Sequence, residues 1–310
     1  MRIAVTGASG FVGGAVCRAL AAHGAEPLAY GRRPEVAPGH LAGAPYRPWD
    51  LARGRLRDAP DVDAVIHCAG SVTDWGPAAG FFATNLTGTR NALASFPGAR
   101  FVHVSTASVY DPFLPTVMAA EDEGPARRHL NAYGASKAAA ERAVRAAGRE
   151  AVILRPHAVY GPGDTTLLPR VLSAVRGPVL PAVGGGRQRI SLTSITNLVQ
   201  ACLLAARGPV GSGVFNVADA APVSLDEAFR AILAERGVRA RPVYLPLRAA
   251  RPVAAAVEGA FLLAHRREPP RLTRYAIAQL AVERTLDITA ARDTLGYDPE
   301  ETSFRGAADW

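Results

Sequence analysis

Short apolar runs alternate with longer amphipathic stretches through the first half of the chain. Strand-like runs fall at 2–6, 26–30, 63–68, 100–105 and 151–155, and helix-like stretches at 11–23, 77–95 and 131–147. This alternation predicts an α/β fold, a Rossmann-type doubly wound parallel sheet with helices on both faces. Side chains that carry chemistry then belong at the carboxyl ends of the strands. Beyond Pro162 the alternation loosens and Pro/Gly punctuation increases, as in Arg176-Gly177-Pro178 and Val183-Gly184-Gly185-Gly186. The expected division is a larger sheet domain from 1–165 and 187–218, with Val214-Phe215-Asn216-Val217 as a late strand. Residues 166–186 and 219–310 would form a smaller C-terminal domain.

Composition narrows the class without naming a function. At 310 residues and 49% hydrophobic, the chain can bury one large core or two unequal domains. It holds no uncharged apolar run of about eighteen residues and Met1 leads straight into a strand, so neither a signal peptide nor a spanning helix is expected. Cys17, Cys68 and Cys202 stand apart inside apolar segments, which suits reduced core thiols in the cytoplasm and no metal site. The formal charge of +8 is spread over arginines among Asp and Glu rather than gathered in a basic tract. Nucleic acid is therefore not an expected partner; a cofactor with several phosphates, or an acidic or membrane-partitioned substrate, would use part of the excess. Val243-Tyr244-Leu245-Pro246-Leu247 and Val253 to Leu263 are apolar enough to cap a greasy pocket or touch a membrane surface. Arg248, Arg251 and Glu258 argue against insertion, and a packing helix pair is the simpler expectation.

Two segments carry candidate chemistry. Arg2 to Thr6 reads as a buried strand that turns through Gly7-Ala8-Ser9-Gly10-Phe11-Val12-Gly13 into an apolar helix. A tight turn needs the first glycine, close approach of a pyrophosphate the second, and helix-on-strand packing the third. Phosphates would lie on the helix N-terminus, and the position between strand and helix is the context a dinucleotide site requires. The other segment is Asn131-Ala132-Tyr133-Gly134-Ala135-Ser136-Lys137, which holds the one lysine among 35 basic residues. An ammonium is a compact point charge where arginine is a planar fork that keeps its proton. Four residues apart on a helix, Tyr133 and Lys137 share a face, where the ammonium can lower the phenol's proton affinity.

Further landmarks follow in order: Asp50-Leu51; Val65-Ile66-His67-Cys68-Ala69-Gly70; Asn85-Leu86 with Gly88-Thr89 and Asn91; Val104-Ser105-Thr106-Ala107-Ser108-Val109-Tyr110. Leu154-Arg155-Pro156 leads into Val159-Tyr160-Gly161-Pro162-Gly163-Asp164, and the tail carries Asp287-Ile288, Ala290-Ala291-Arg292, Leu295-Gly296-Tyr297 and Pro299. With the glycine turn and the Tyr133/Lys137 pair, this order resembles the extended branch of the short-chain dehydrogenase/reductase superfamily over nearly the whole chain. Asp74-Trp75-Gly76 and Glu268-Pro269-Pro270 with Leu272-Thr273 look most like its 3β-hydroxysteroid dehydrogenase-like group.

The resemblance implies an NAD(P)-dependent oxidoreductase that interconverts a secondary alcohol and a ketone on a hydrophobic substrate, sterol-like or a long-chain 3-oxo acid. Hydride transfer at a carbinol carbon needs a proton moved on the oxygen and a donor for developing negative charge. Tyr133 is the expected acid/base. A phenol titrates near 10, and bringing it to about 7 takes roughly 4 kcal/mol of preferential stabilisation of the phenolate. Lys137 and the positive nicotinamide ring are expected to supply this in a water-poor cleft, with Lys137 also holding the nicotinamide ribose. Thr106 would donate to the substrate oxygen, a role that suits Ser105 less. Asn85 would position backbone and water behind the lysine, or serve as a helix or loop cap. His67 and His103 read as core histidines, and His157 as a contact to cofactor or substrate. The implied cofactor contacts are Gly7, Ser9, Gly10, Phe11, Val12, Gly13, Asp50, Leu51, Cys68, Ala69, Gly70, Tyr133, Lys137, Pro156, His157 and Val159. A homodimer through helices 77–95 and 131–147 follows by analogy only.

Cofactor choice turns on the end of the second strand, where an acid would accept the adenosine ribose hydroxyls of NAD. Tyr30-Gly31-Arg32-Arg33 has none, and Arg32 and Arg33 could instead pair with a 2′-phosphate. NADP is favoured, with NAD still open. The competing readings are a nucleotide-sugar epimerase or dehydratase, a non-catalytic NADP-sensing protein, and a scaffold. Sugar dehydratases need acids where Ala107 and Ser108 stand, and the Arg-Asp-Tyr run of sugar enzymes reads Arg189-Ile190-Ser191. The intact Tyr133/Lys137 pair argues against the last two.

Overall fold

Successive side chains of each apolar run enter different layers, which is why the runs become strands buried on both faces. The computed structural model describes residues 1–73, 75–264, 266, 268, 270 and 273–310. Its strands are β1 (Arg2–Thr6), β2 (Glu26–Gly31), β3 (Tyr46–Pro48), β4 (Ala64–His67), β5 (Arg100–Val104), β6 (Thr116–Ala119), β7 (Ala151–Pro156) and β8 (Val159–Tyr160). There follow β9 (Val179–Val183), β10 (Arg189–Ile190), β11 (Thr193–Ser194), β12 (Gly213–Val217), β13 (Val223–Ser224), β14 (Arg241–Leu245) and β15 (Arg284–Leu286). The helices are α1 (Phe11–Ala22), α2 (Ala78–Phe82), α3 (Gly88–Ser95), α4 (Ala132–Arg145), α5 (Leu167–Ala174), α6 (Ile195–Arg207), α7 (Leu225–Glu235), α8 (Leu247–Leu263), α9 (Arg274–Leu280) and α10 (Thr289–Leu295).

The main sheet has seven strands in the order β12-β7-β5-β4-β1-β2-β3, with every neighbouring pair parallel. The chain moves outward from β1 through β2 and β3, then returns to place β4 on the other side of β1. That reversal makes the β1/β4 junction the topological switch point, where ligands of such sheets bind. Ile3, Val5, Ile66, Val102 and Val104 enter a core shared with α1, α6 and α10. Ala4, Val65, Phe101 and Ile153 face the opposite layer, with Ala92 and Leu93 of α3 and Val144 of α4.

The later chain builds a four-stranded sheet in the order β13-β10-β15-β6 and two small pairs, β11-β8 and β14-β9. Residues 187–218 are therefore shared: β12 extends the main sheet while β10 joins the smaller one, as does β6 from the first half. Residues 243–245 lie in β14 rather than in a helix, because β9 offers an edge with which all five residues of β14 register. The predicted helix 77–95 is interrupted by a π turn at Ala83–Thr87. Asp74, Pro269 and Leu272 lie outside the described residues. No helix among the described residues is long and apolar enough to cross a membrane.

Candidate active site

Gly7 takes φ +71°, and a Cβ there would lie 2.6 Å from Ala69 N; one at Gly13 would lie 2.6 Å from the Gly7 carbonyl carbon. Both positions therefore exclude a side chain, and the turn is pressed against the end of β4. At Gly10, the N-cap of α1, a Cβ would meet only Gly7 O, at 3.2 Å. No side chain caps α1, so its first amides are left for an anion. A dinucleotide fits these residues. Gly31 closes the same end of the sheet, where a Cβ would sit 2.6 Å from Ser9 Oγ. Arg32 and Arg33 follow exposed, and neither forms an ion pair among the described residues. Tyr46 donates to Arg33 O at 2.6 Å. Asp50 sits just beyond β3, accepting from Ala52 N at 3.2 Å, and Asn91 donates to Leu51 O at 2.8 Å.

Tyr133 and Lys137 stand on the first turns of α4, started by Asn131, whose side chain accepts from Gly134 N at 3.0 Å. Such a cap is worth about 1 kcal/mol. Both side chains are buried, and Lys137 Nζ donates to Val104 O at 2.6 Å. A Cβ on Gly70 would be 3.7 Å from Lys137 Nζ and 3.3 Å from Asn85 Oδ1, so the end of β4 meets both. Burial holds the Lys137 ammonium down to about 8, against the opposing charge of Glu141. The Tyr133 phenol is raised above its ordinary value by burial, partly offset by a hydrogen bond with Thr106. The expected lowering rests on Lys137 together with the positive nicotinamide ring, and the chain's own groups do not supply it. Desolvation disfavours the phenolate more than the chain's own groups favour it.

Thr106 Oγ1 donates to Ser108 Oγ at 3.1 Å, and Ser108 Oγ lies 2.7 Å from Tyr275 Oη. A chain of hydroxyls thus runs Tyr133, Thr106, Ser108, Tyr275. Ser105 points elsewhere, donating to Glu141 Oε1 at 2.6 Å. Glu141, one turn beyond Lys137, also receives Arg155 Nε at 3.0 Å and Nη2 at 2.8 Å, and both side chains are fully buried. Removing one partner of such a pair costs about 3–5 kcal/mol. The pair fastens α4 to β7, and no local pattern in the sequence singles out Glu141.

Asn85 lies in the π turn, whose added residue re-aims its side chain. It accepts from Ser71 N at 2.7 Å and donates to Ser71 O at 3.2 Å and Ser136 Oγ at 2.9 Å. It clamps the loop after β4 onto α4, and among the described residues its hydrogen bonds do not reach Lys137. His67 is fully buried. Thr89 spends its hydrogen on Asn85 O, so His67 Nε2 donates to Thr89 at 3.0 Å and Nδ1 accepts from Thr6 at 2.7 Å. Burial holds it neutral, down to about 3. His103 stacks on His67 at 5.4 Å and is likewise held neutral by burial. Neither lies among the hydroxyls of Tyr133, Thr106, Ser108 and Tyr275.

Pro156 ends β7, Val159 starts β8, and His157 between them is buried and held neutral. Its Nδ1 is 2.7 Å from Ser191 O, so that nitrogen carries the proton. Nε2 then needs a donor, which assigns the Gln279 amide nitrogen to the contact at 3.2 Å. Gln279 and Tyr275 are one turn apart on α9, a helix that the sequence reading did not connect with the site. Tyr275 also packs edge-on against Tyr133, ring centroids 6.4 Å apart.

The model of the NAD dependent epimerase/dehydratase family matches residues 3–218. The chain is 32% identical to a 2-alkyl-3-oxoalkanoate reductase of Stenotrophomonas maltophilia, over 99% of this chain and 97% of that one. It is 33% identical to a 4-hydroxy-2-methyl-3-oxo-4-farnesyl-3,4-dihydroquinoline-1-oxide ketoreductase of Stigmatella aurantiaca, over 99% and 94%. Among solved structures it resembles MoeE5 in complex with UDP-glucuronic acid and NAD, with a TM-score of 0.75, 25% identity, and 97% and 95% coverage.

Proposed function

Because the chain belongs to the NAD dependent epimerase/dehydratase family, within the extended short-chain dehydrogenases/reductases, we propose that this NAD-dependent oxidoreductase reduces a ketone on a hydrophobic, long-chain substrate to a secondary alcohol. The observation that carries the proposal is the convergence of Tyr133, Thr106 and Lys137 at the ends of β4 and β5, with Ala107 and Ser108 where a dehydratase needs acids. Two relatives whose names specify ketone reduction on alkyl and farnesyl compounds support it. The bound nicotinamide supplies the hydride. Tyr133, kept protonated by burial, gives its proton to the ketone oxygen, and Thr106 donates a second hydrogen bond there. Lys137 holds the ribose and offsets the phenolate as it forms. Asn85 and the Glu141–Arg155 pair keep the loop and helix in register. Residues 1–165 and 187–218 would bind the cofactor, and 166–186 with 219–310 the substrate. A second copy would pack against α2, α3 and α4.

The same reading assigns NADP as the preferred cofactor, held by Arg32 and Arg33. A hydrogen bond to a charged group is worth about 1.5–3 kcal/mol. Replacing both arginines with Ala should therefore raise KM for NADPH about ten- to hundred-fold and KM for NADH little. Equal effects on the two cofactors would show that the pair does not recognise the 2′-phosphate.

Reaction class is tested by a panel of long-chain 3-oxo acids, steroid ketones and UDP-sugars. Net NADPH consumption with a ketone is the expected outcome. Conversion of a UDP-sugar without added cofactor would favour the epimerase or dehydratase alternative and defeat the proposal.

A further inference from the structure

A histidine outside every motif of the sequence lies against the glycine turn. The segment after β2 forms a short 3₁₀ turn at Pro38–Leu41, with Pro38 at its start and Leu41 buried in the main core. Arg18 of α1 holds this turn by donating Nη1 to His40 O at 2.8 Å. The His40 side chain reaches back to the glycine turn, where its Nε2 lies 3.1 Å from Ala8 O and 3.2 Å from Gly10 O. Carbonyl oxygens only accept, so Nε2 carries a hydrogen and shares it between the two.

In a trans peptide the C=O and the following N–H point in opposite directions across one plane. The Ala8 carbonyl shares its plane with the Ser9 amide, and the Gly10 carbonyl with the Phe11 amide. With both oxygens turned to His40, both N–H groups are turned away from it. Neither of these amides donates to a partner among the described residues, whereas Ala8 N is taken by Tyr30 O and Gly10 N by Gly7 O, each at 2.9 Å. Ser9 and Phe11 thus join the uncapped first turn of α1 as donors for an anion.

Gly14 leaves the room for the ring. It stands one residue beyond the Gly7, Gly10, Gly13 spacing, inside α1 and without a left-handed φ, where alanine would be the better helix former. A Cβ there would nevertheless fall on the His40 ring, 2.6 Å from Cε1 and nearer still to Nε2.

We infer that His40 is a positioning residue for cofactor binding: seated in the space left by Gly14, it fixes the Ala8 and Gly10 carbonyls and so aims the Ser9 and Phe11 amides at the cofactor's pyrophosphate. This rests on the dinucleotide reading of the glycine turn. Donors aimed before the ligand arrives spare the cost of ordering them on binding. The pyrophosphate is common to NADPH and NADH, so His40 serves both alike, whereas the part assigned to Arg32 and Arg33 concerns NADPH alone.

The test is titration of the full chain with NADPH and with NADH, read by cofactor fluorescence without substrate. His40→Ala should raise Kd for both cofactors by the same factor, about three- to ten-fold, as loss of one neutral hydrogen bond would. His40→Gln carries an amide donor the same number of bonds from the backbone and should stay within about two-fold of the parent. Gly14→Ala should weaken both cofactors about as much as His40→Ala, and adding it to His40→Ala should cost less than about two-fold more, because the ring it displaces is already gone. Alanine favours the helix, so a loss of affinity in Gly14→Ala is not a loss of fold, which circular dichroism of the free protein checks. At saturating cofactor kcat should stay within about three-fold in each variant. Parent-like Kd values in His40→Ala or Gly14→Ala, a double variant whose losses multiply, His40→Gln as weak as His40→Ala, or a loss confined to NADPH would each overturn the role of His40 and leave the dinucleotide site standing. A parent chain that binds neither cofactor would overturn the site and His40 together.

Discussion

Tyr133→Phe is expected to lose about a hundred- to ten-thousand-fold of turnover while its affinity for NADPH stays within a few-fold. The substitution removes one oxygen and little volume from a ring packed beside Tyr275, so the fold should hold. On the proposed reading the lost oxygen is the group that gives the ketone its proton, and positioned acid catalysis is typically worth about two to four orders of magnitude. Thr106 cannot replace it, since its hydroxyl is a far weaker acid than a phenol. Turnover within a few-fold of the parent would remove Tyr133 from the chemistry.

Lys137→Arg should be nearly as damaging despite keeping the charge. The ammonium fits against Val104 O at 2.6 Å beside Gly70, and a planar fork cannot occupy that space. A fall in turnover of about a hundred-fold or more is expected, with weaker cofactor binding. The pH profile adds a signature. Burial lowers the Lys137 pKa to about 8, so the cation is present below that value and lost as pH rises through it. In the parent, kcat/KM for ketone reduction should fall above about 8. The Lys137→Arg variant should lack this step, because arginine stays protonated. Lys137→Met should be worse in turnover. Unchanged turnover and an unchanged profile in Lys137→Arg would make the single lysine incidental.

Much of this arrangement was legible because its signals are local. Gly7, Gly10 and Gly13 occupy a turn set by adjacent backbone, and the four-residue spacing of Tyr133 and Lys137 fixes their shared face once the helix forms. The main strands showed as apolar runs because both of their sides are buried. The smaller sheet was not legible in the same way, since β10 and β13 have two residues each, too few for any period. The π turn at Asn85 depends on its docking to Ser71 and Ser136, which no local pattern announces.

The electrostatics were legible only in part. Lys137 near Tyr133 was legible as a group that, with the nicotinamide ring, would lower the phenol, but the burial that opposes it is a tertiary property. Glu258 read as a charge against membrane insertion of 253–263, and its partner was not legible: it is 7% exposed and accepts from Arg274, sixteen residues on. Tyr275 is separated from Tyr133 by more than a hundred residues, and the two rings meet through tertiary anchoring of α9, by Glu258 on Arg274, Arg284 on Ala278 O and Gln188 on Leu280 O.

Hydride transfer to a ketone is tested most directly by reducing a long-chain 3-oxo substrate with NADPH carrying deuterium in its transferable position, and weighing the released alcohol. One deuterium at the carbinol carbon, with one equivalent of NADP formed and the label transfer abolished in Tyr133→Phe, is the predicted result. An unlabelled product with no net cofactor oxidation, together with turnover of a UDP-sugar, would contradict it.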